Sequence, residues 1–243
     1  MSIHTVIVTG GANGIGRAVV RRCLADGMFV IACDIDRPGL EALAHTHTGE
    51  RLEVHAVDVA SKTEIDAFVA DVVSRHPDVD GLVNNAGLYL GRSIFKYDDA
   101  TIERVVAINL MAPLRLSQRF AEHLLPRKAR GAIVTVASVA GEVGSSDAPY
   151  GATKAAVIGL TKSNAMNFAP YIRVNTVSPG VVFGTSIVDL IPEYRLKEYR
   201  RQETLDLDIQ PEDVASAIAF LLGDGSRNTT GTVFPVDNGC YPR

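Results

Sequence analysis

The stretch "HTVIVTGGANGIG", residues 4–16, decides the fold of this chain. It joins a β-branched run to Gly10, Gly14 and Gly16, and a helix-patterned segment follows. Such glycines allow a tight turn and close approach of a ligand to the backbone, while the helix start offers N–H groups to a pyrophosphate. A plain tight turn would also explain the glycines by themselves. Their place directly after the first predicted strand favours a dinucleotide site.

Further runs of the same kind alternate with helix-length segments along the chain. The predicted strands are 4–10, 28–34, 52–59, 81–87, 131–138, 172–180 and 231–237. The predicted helices are 14–26, 38–45, 61–75, 99–125, 148–168 and 211–223. Most of the strands are continuous apolar runs, which is typical of a parallel sheet covered on both faces. The alternation predicts an α/β fold: a doubly wound, mostly parallel seven-stranded sheet with helices on both faces.

Length and composition fit one globular domain over residues 1–243, with 47% hydrophobic and 21% charged residues. The polar segment 181–210 breaks the strand–helix alternation, and we expect a loop or short helices over a substrate site there. The formal net charge of −4 argues against a nucleic-acid partner. Basic runs at 127–130 and 194–201 are more typical of solvated faces than of a binding surface.

Cysteine and histidine usage predicts a cytoplasmic protein without a metal. Cys23, Cys33 and Cys240 show no CxxC spacing, so reduced thiols are the simplest interpretation. His45 and His47 lie too close in sequence to share one helical face, and no third ligand is near. We find no signal peptide, and no run approaches the roughly 20 apolar residues of a membrane span, so no membrane partner is expected.

Carboxylates end the second and third predicted strands. Asp34 follows Gly16 by 18 residues and can accept hydrogen bonds from adenosine ribose hydroxyls. It would repel a ribose 2′-phosphate, and no basic residue follows it directly, so NAD is favoured over NADP. Asp36 is better explained as a helix cap. Asp58 is placed to reach an adenine amino group with Val59 behind the ring, although a solvated strand-end carboxylate is an open alternative.

The fourth predicted strand ends "NNAG", residues 84–87. The small residues Ala86 and Gly87 suit a backbone pressed against a cofactor. Asn84 and Asn85 either bind that cofactor or satisfy neighbouring loops, and the sequence leaves both readings open.

A hydroxyl, a phenol and an ammonium cluster later in the chain. Ser138 ends the fifth predicted strand, at the edge where open α/β sheets bind ligands. Tyr150 and Lys154 are four residues apart on a predicted helix and share one face. A nearby cation favours the phenolate, so the pair suits a general acid or base. An amphipathic helix with one snorkelling lysine would explain the pair alone, but not together with Ser138 and the glycine turn.

Six motifs occur together over nearly the whole chain. They are Thr9-Gly10-x3-Gly14-Ile15-Gly16, Asn84-Asn85-Ala86-Gly87, Asn109 in "VVAINLMAP", Ser138, Tyr150-x3-Lys154 and Ser178-Pro179-Gly180. In this order and spacing the chain resembles the short-chain dehydrogenase/reductase family in its shorter, single-domain form. The resemblance implies a Rossmann-type domain and an assembly as homodimer or homotetramer through helices 99–125 and 148–168.

The resemblance also implies catalytic roles. Tyr150 would be the acid/base, Lys154 would hold the nicotinamide ribose and lower the pKa of Tyr150, and Ser138 would steady the substrate oxygen. Asn109 would hold a water that links Lys154 to solvent, whereas from the residues alone it is a polar side chain in an apolar helical stretch.

Cofactor and substrate contacts complete the expectation. The cofactor residues would be Gly10, Asn13, Gly14, Ile15, Gly16, Asp34, Asp58, Val59, Asn85, Ala86, Gly87, Tyr150, Lys154, Pro179, Gly180, Val182 and Thr185. The substrate residues would be Ser138, Tyr150, Val139, Leu88 and Phe183. The chain departs from the family where Gly184 stands in place of a threonine, and Thr185 follows it. Asn238 replaces a glycine near the C-terminus, where a left-handed turn is still expected.

The sequence thus predicts an NAD(H)-dependent oxidoreductase that acts on a secondary alcohol or the matching ketone, a small-molecule substrate. Two alternatives stay open. One is a 3-oxoacyl-carrier reductase, which Asp34 argues against because reductive members more often use NADP. The other is a catalytically silent NAD-binding regulator, in which a broken Ser–Tyr–Lys set would be expected. An acidic carrier protein would meet Arg127, Lys128 and Arg130, or the run 195–201.

Overall fold

The computed structural model describes residues 3–49 and 51–240. Within them seven strands form one parallel sheet in the order β3-β2-β1-β4-β5-β6-β7. The strands are β1 Thr5–Thr9, β2 Phe29–Asp34, β3 Leu52–Ala56, β4 Gly81–Asn84, β5 Gly131–Val136, β6 Ile172–Pro179 and β7 Val233–Val236. The predicted doubly wound sheet is confirmed. The order in which successive strands are added reverses between β1 and β4. Sheets of this kind bind ligands at that point.

The helices follow the predicted alternation. They are α1 Gly14–Ala25, α2 Arg37–Thr46, α3 Lys62–Arg75, α4 Asp99–Val106, α5 Ala112–Leu124, α6 Ala140–Val143, α7 Ala148–Asn167, α8 Ser186–Leu190, α9 Glu193–Gln202 and α10 Pro211–Leu222. The single helix predicted over 99–125 is wrong in one respect. A π-helical turn, Ala107–Met111, separates α4 from α5. Such turns are often found at functional sites.

Alternate residues of the strands supply two cores, one on each face of the sheet. In β1, Val6 and Val8 pack with α1 and α10, whereas Ile7 packs with α3 and α5 on the opposite face. This alternation follows from the two-residue period of a strand. Because both faces are covered, the central strands β4 and β5 are buried throughout, whereas the edge strand β3 carries Glu53 and His55.

The segment 181–210, hereafter the substrate segment, folds as α8 and α9 with connecting loops. Its two ends meet in a parallel bridge between Val182 and Ile209, and the N–H of Phe183 donates to the carbonyl of Ile209 at 2.8 Å. No residue of α8 or α9 is buried in the described structure. The segment is therefore anchored at its base, while its helices lie on the surface.

Two departures from the family motifs have a backbone explanation. Gly184 has a φ of +74°, in the left-handed region that favours glycine, so a threonine at this position would be strained. Asn238 has a φ of +54°, as expected from the sequence. No helix within 3–49 and 51–240 combines the length and apolarity needed to cross a membrane. The same residues contain no group of three His, Cys, Asp or Glu side chains placed to hold a metal ion.

Candidate active site

The glycine turn, residues 9–16, presses directly against the end of β4. A Cβ at Gly16 would overlap the carbonyl oxygen of Gly10 and lie 2.5 Å from Nδ2 of Asn85. A Cβ at Gly10 would lie 2.9 Å from the Cα of Ala86. Both contacts are shorter than real Cβ atoms tolerate, so these positions require glycine. The glycines therefore serve a close backbone approach as well as a tight turn.

Hydrogen bonds fix this approach. The hydroxyl of Thr9 accepts from the backbone N–H groups of Asn85 and Ala86 at 3.0 and 3.1 Å. In return Nδ2 of Asn85 donates to the carbonyls of Thr9 and Gly10 at 2.9 and 3.1 Å. Asn84 instead donates into the protein interior, to the hydroxyl of Ser117 at 3.1 Å. Of the two asparagines, Asn85 shapes the turn and Asn84 supports the sheet.

The start of α1 is free of the usual side-chain cap. Asn13 occupies the N-cap position, but its side chain makes no capping hydrogen bond to the described helix; it donates to Asp36 at 2.7 Å. Asn13, Gly14 and Ile15 line the cavity described below. Uncapped N–H groups at a helix start are suited to a phosphate. The turn and the helix start together fit the pyrophosphate of a dinucleotide.

Asp34 lies at the end of β2 and lines the same cavity. Its carboxylate accepts from the N–H groups of Ala12 and Asp36, both at 3.0 Å. Asp36 caps α2 by accepting from the N–H of Gly39 at 3.1 Å, so its predicted capping role is confirmed. The carboxylate of Asp34 thus stands one strand away from the turn, where a ribose next to the pyrophosphate would lie.

Asp58 forms an ion pair with an arginine side chain, which the sequence analysis did not predict. Arg104, on α4, donates to both carboxylate oxygens of Asp58 at 2.8 and 3.1 Å. Partial burial raises the pKa of Asp58, but the hydrogen bonds and charge of Arg104 more than offset it, and the net shift is downward. Both side chains line the cavity beside Val59. This wall of the cavity therefore presents an ion pair rather than a lone carboxylate.

One cavity of about 1570 Å³ runs along the carboxyl edge of the sheet. It extends from Asp34 and the glycine turn to Ser138, Tyr150 and Lys154. Pockets for single small molecules are usually about 300–1000 Å³, so this one has room for a dinucleotide and a substrate together. Further lining residues are Asn85, Ala86, Gly87, Pro179, Gly180, Val182 and Thr185. Gly16 does not line the cavity among the described residues, and its contribution is the close contact beneath the turn.

Ser138 and Tyr150 meet inside the cavity. Ser138 follows β5, Tyr150 lies in the first turn of α7, and their hydroxyls are hydrogen-bonded. Burial raises the pKa of Tyr150 to about 12, the bond with Ser138 opposes the rise, and the neighbouring Tyr89 and Asp147 add to it. The prediction that the pKa of Tyr150 is lowered is thus wrong for the protein without cofactor, because burial outweighs any effect of Lys154.

Lys154 lies one helical turn beyond Tyr150. Its Nζ is 5.6 Å from the centroid of the Tyr150 ring and donates to the carbonyl of Val136 at 2.7 Å. The side chain is 5% exposed, and burial lowers its pKa to about 8. A Cβ at Gly141 would lie 2.7 Å from the carbonyl oxygen of Lys154, so the chain after Ser138 passes close to α7. This packing holds the lysine at the floor of the cavity.

Asn109 lies in the π-helical turn and fixes the loop after β4. Its Nδ2 donates to the carbonyl of Leu88 at 2.9 Å and to Thr153 at 3.2 Å, and its Oδ1 accepts from the N–H of Leu88 at 2.7 Å. A Cβ at Gly87 would lie 3.5 Å from Nζ of Lys154 and 3.6 Å from Oδ1 of Asn109. The helix distortion therefore places Asn109 close to Lys154, and its role in holding a water stays a prediction.

Asp147 is a buried carboxylate beside the site that the sequence analysis missed. It is fully buried, caps α7 through the N–H of Tyr150 at 3.3 Å, and accepts from the N–H of Gly91 at 3.0 Å. The hydroxyl of Tyr97 donates to it at 2.7 Å, and burial together with this carboxylate raises the pKa of Tyr97. Asp147 joins the loop after β4 to the helix that carries Tyr150. An aspartate just before an Ala-Pro helix start was the available signal.

The predicted substrate residues divide. Leu88 and Val139 line the cavity, but Phe183 is not among its described lining residues. The guanidinium of Arg200 lies 4.5 Å from the Phe183 ring centroid. Other side chains line the substrate end instead: Tyr89, Val188, Ile191, Arg195 and Tyr199. The substrate segment brings the last four to the site, and their sequence pattern alone does not indicate this.

Residues 10–241 match a family described as enoyl-(acyl carrier protein) reductase. The chain belongs to the short-chain dehydrogenase/reductase family, whose members are oxidoreductases of alcohol and ketone groups. It is 32% identical to 3-oxoacyl-[acyl-carrier-protein] reductase of Thermotoga maritima, over 96% of each chain. It is 30% identical to meso-2,3-butanediol dehydrogenase of Serratia marcescens, over 96% of this chain and 93% of that one.

Solved structures agree with this assignment. A 4-hydroxyisoleucine dehydrogenase complexed with NADH superposes with a TM-score of 0.91 at 31% identity, over 99% of each chain. A short-chain dehydrogenase/reductase from Brucella melitensis has a TM-score of 0.88 at 32% identity, over the full length of both chains. Family, fold and cavity together support a nicotinamide cofactor.

Proposed function

We propose that the protein is an NAD(H)-dependent oxidoreductase that transfers a hydride between the nicotinamide and a secondary alcohol or the matching ketone. The observation that carries the proposal is the shared cavity. It holds Ser138, Tyr150 and Lys154 at one end and the glycine turn with Asp34 at the other. The hydrogen-bonded pair Ser138–Tyr150 gives a substrate oxygen two hydroxyl partners at one place.

When bound, the nicotinamide supplies the hydride donor or acceptor at its C4. The protein orients the substrate and moves the proton. Tyr150 keeps its proton at neutral pH because burial raises its pKa to about 12, and a protonated phenol can donate to a ketone oxygen. In the alcohol direction Tyr150 must first lose that proton. The rate of oxidation is therefore expected to rise with pH.

The preference for NAD over NADP rests on Asp34. Its carboxylate lines the cavity one strand from the turn and would repel a ribose 2′-phosphate. Arg104 is the nearest counterargument, because it is a cation on the same wall. Both of its contacts to Asp58 are short, however, so its charge is neutralised locally. The dehydrogenase of similar structure that was solved with NADH supports a nicotinamide cofactor.

A second candidate, a 3-oxoacyl-carrier reductase, is favoured by the relative from Thermotoga maritima and by the description of the matching family. Asp34 counts against it. The basic run 194–201 also offers little free charge to an acidic carrier. Lys197 pairs with Glu193 at 2.7 Å, and Arg200 pairs with Glu203 at 3.0 Å, within the same segment. Comparing turnover of free and carrier-linked ketones separates the two enzymes.

We also propose a homodimer or homotetramer that pairs the helices α4, α5 and α7, and a cytoplasmic location. Met166, near the end of α7, is 81% exposed, as an assembly through this helix would require. The cytoplasmic location is supported by Cys23 and Cys33, which are free and buried, as reduced thiols are expected to be. Burial raises the pKa of the Cys23 thiol to about 12. Light scattering of the purified protein tests the assembly. A monomeric mass at micromolar concentration would refute it.

A cofactor-reduction screen of secondary alcohols with NAD and NADP tests the function. Tyr150→Phe is expected to lose about 10²–10⁴-fold in kcat while it keeps NAD binding, because it removes the proton carrier. Tyr89→Phe is the matched control, since Tyr89 contacts the Tyr150 ring edge-on at 4.9 Å. It should lose far less. Near-normal turnover of Tyr150→Phe would refute the acid/base role, and tight NAD binding without turnover on any alcohol would favour a silent regulator.

A further inference from the structure

A smaller pocket of about 260 Å³ lies beside the substrate end of the main cavity, and we call it the side pocket. The two share Tyr89, Ser146, Ile191, Arg195 and Tyr199 in their linings. The ring of Tyr89 also contacts the ring of Tyr150 at 4.9 Å between centroids. One aromatic ring therefore separates the reacting end from the side pocket, so a substrate only a few carbons long can occupy both.

Two arginine side chains line the side pocket. Arg92, from the loop after β4, and Arg195, from α9, both line it, and no aspartate or glutamate is found among its described lining residues. Arg92 forms no side-chain hydrogen bond or ion pair with any residue that the structure describes. Asp98 lies close enough for its charge to interact with that of Arg92, and Asp147 lies behind the loop. Asp147 is fully buried, and its oxygens are occupied by Tyr97 and the N–H of Gly91.

Arg195 is held in place but retains free donors. One of its guanidinium nitrogens donates to Glu198 at 2.9 Å, and the guanidinium is also hydrogen-bonded to the hydroxyl of Tyr194, whose ring centroid lies 5.5 Å away. A guanidinium carries five N–H donors in a planar fork, so a further acceptor can still bind. Such a fork matches a carboxylate well.

The charges around the pocket favour a small anion over an acidic protein. On α9, Lys197 pairs with Glu193 at 2.7 Å, and Arg200 pairs with Glu203 and Asp208. These two basic residues of α9 are therefore paired within their own segment, whereas Arg92 has no ion pair among the described residues. A volume of about 260 Å³ also excludes a protein segment and leaves room only for a small group such as a carboxylate.

We propose that the side pocket binds a carboxylate of the substrate through Arg92 and Arg195, so that the substrate class is a small hydroxy acid or the matching keto acid. This inference rests on the proposed function and specifies its substrate. The carbinol carbon lies at Ser138 and Tyr150, and the carboxylate lies beyond Tyr89. Tyr199 and Ser146 line both spaces and offer further hydroxyl groups to the connecting chain.

The first test compares matched alcohols that differ in the carboxylate, such as 4-hydroxypentanoate and 2-pentanol. We expect the wild type to prefer the hydroxy acid in kcat/KM by at least about tenfold. Arg92→Gln and Arg195→Gln should each remove most of this preference, because each lowers kcat/KM for the hydroxy acid more than for the neutral alcohol. Lys96→Gln and Lys197→Gln are the controls, because they remove a charge from the same loop and helix outside the side pocket. Equal use of both alcohols by the wild type would overturn the proposal.

A binding measurement separates this proposal from the proposed function. Calorimetry with 4-oxopentanoate on the cofactor-saturated protein needs no turnover. If no alcohol is oxidised but the keto acid binds and each of the two arginine variants weakens it about tenfold, the carboxylate site stands and the proposed reaction fails. If alcohols are oxidised but neither arginine affects binding or preference, the reaction stands and the carboxylate site is refuted.

Discussion

The glycine turn and the substrate segment face the same cavity but are held in opposite ways. The turn is locked by the hydroxyl of Thr9 and the amide of Asn85, and its glycines leave no room for another atom. The substrate segment is closed at its base by Val182 and Ile209, and its helices bury no residue in the described structure. A methyl of Thr185 would meet a Cβ at Gly14 at 3.3 Å, so the two regions nearly touch.

This difference separates the reaction from the choice of substrate. The groups that we propose to bind the cofactor and move the proton are fixed by the sheet and by buried hydrogen bonds, so small changes there are expected to be costly. The side chains that we propose to reach the substrate lie on surface helices, whose charged residues form ion pairs mainly within the substrate segment. Such a surface tolerates exchange of side chains without loss of the fold, since exposed ion pairs contribute little to stability.

The largest expected effect breaks the locked side. Gly16→Ala places a Cβ against the carbonyl of Gly10, so the turn must open. We expect the free energy of NAD binding to weaken by about 3 kcal/mol, which is roughly 100-fold in affinity. Gly159→Ala is the control, because its Cβ would meet nothing within 4 Å on the exposed face of α7. It should keep NAD binding and not lower the melting temperature. Equal NAD affinities of the two variants would show that the turn is not locked.

Asp147 tests whether the loop after β4 belongs to the locked side. Asp147→Asn turns an amide donor toward N–H groups that now donate to the carboxylate, and we expect a loss of about 1–3 kcal/mol in unfolding free energy. The negative charge also raises the pKa of Tyr150, so its removal should shift the pH profile of alcohol oxidation to lower pH. Tyr97→Phe keeps that charge and should show no such shift. Identical profiles for both variants would contradict this role.

Asp34 sharpens the cofactor end. Asp34→Ala should weaken NAD by about 1.5 kcal/mol, roughly tenfold, and relax the rejection of NADP, because it removes a charged acceptor for the ribose. Asp36→Ala should cost about 1 kcal/mol of stability through the lost α2 cap and leave the NAD/NADP ratio unchanged. Fluorescence titration with both cofactors measures this. A wild type that already prefers NADP would refute the assignment.

Lys154 shows what a buried functional charge costs. Burial lowers its pKa from 10.5 to about 8, so the folded state disfavours the charged amine below pH 8, and this penalty disappears as the pH rises to 10.5. Lys154→Met should therefore abolish turnover but stabilise the protein at pH 7 by on the order of 1 kcal/mol, with a smaller gain at pH 10. Lys162→Met, on the exposed face of the same helix, is the matched control and should keep turnover. A destabilised Lys154→Met at pH 7 would contradict this account.

The sequence predicted the strands and most helices because strand period and glycine chemistry are local properties. It did not predict the break in the helix 99–125, since the π-helical turn around Asn109 depends on the Leu88 backbone. It also placed a lone carboxylate at Asp58, because Arg104 lies 46 residues away and meets it only in the fold. The pKa of Tyr150 was expected to fall, but burial from several elements raises it.

By itself the sequence determined the parallel sheet, the glycine turn and the Ser–Tyr–Lys set, since each depends on residue type at short spacing. The tertiary structure decided what surrounds them. It brought Asp147 and Tyr97 together across 50 residues, and it placed Arg92 and Arg195 in one pocket. Contacts between distant segments depend on how the helices pack, and no local pattern records that packing.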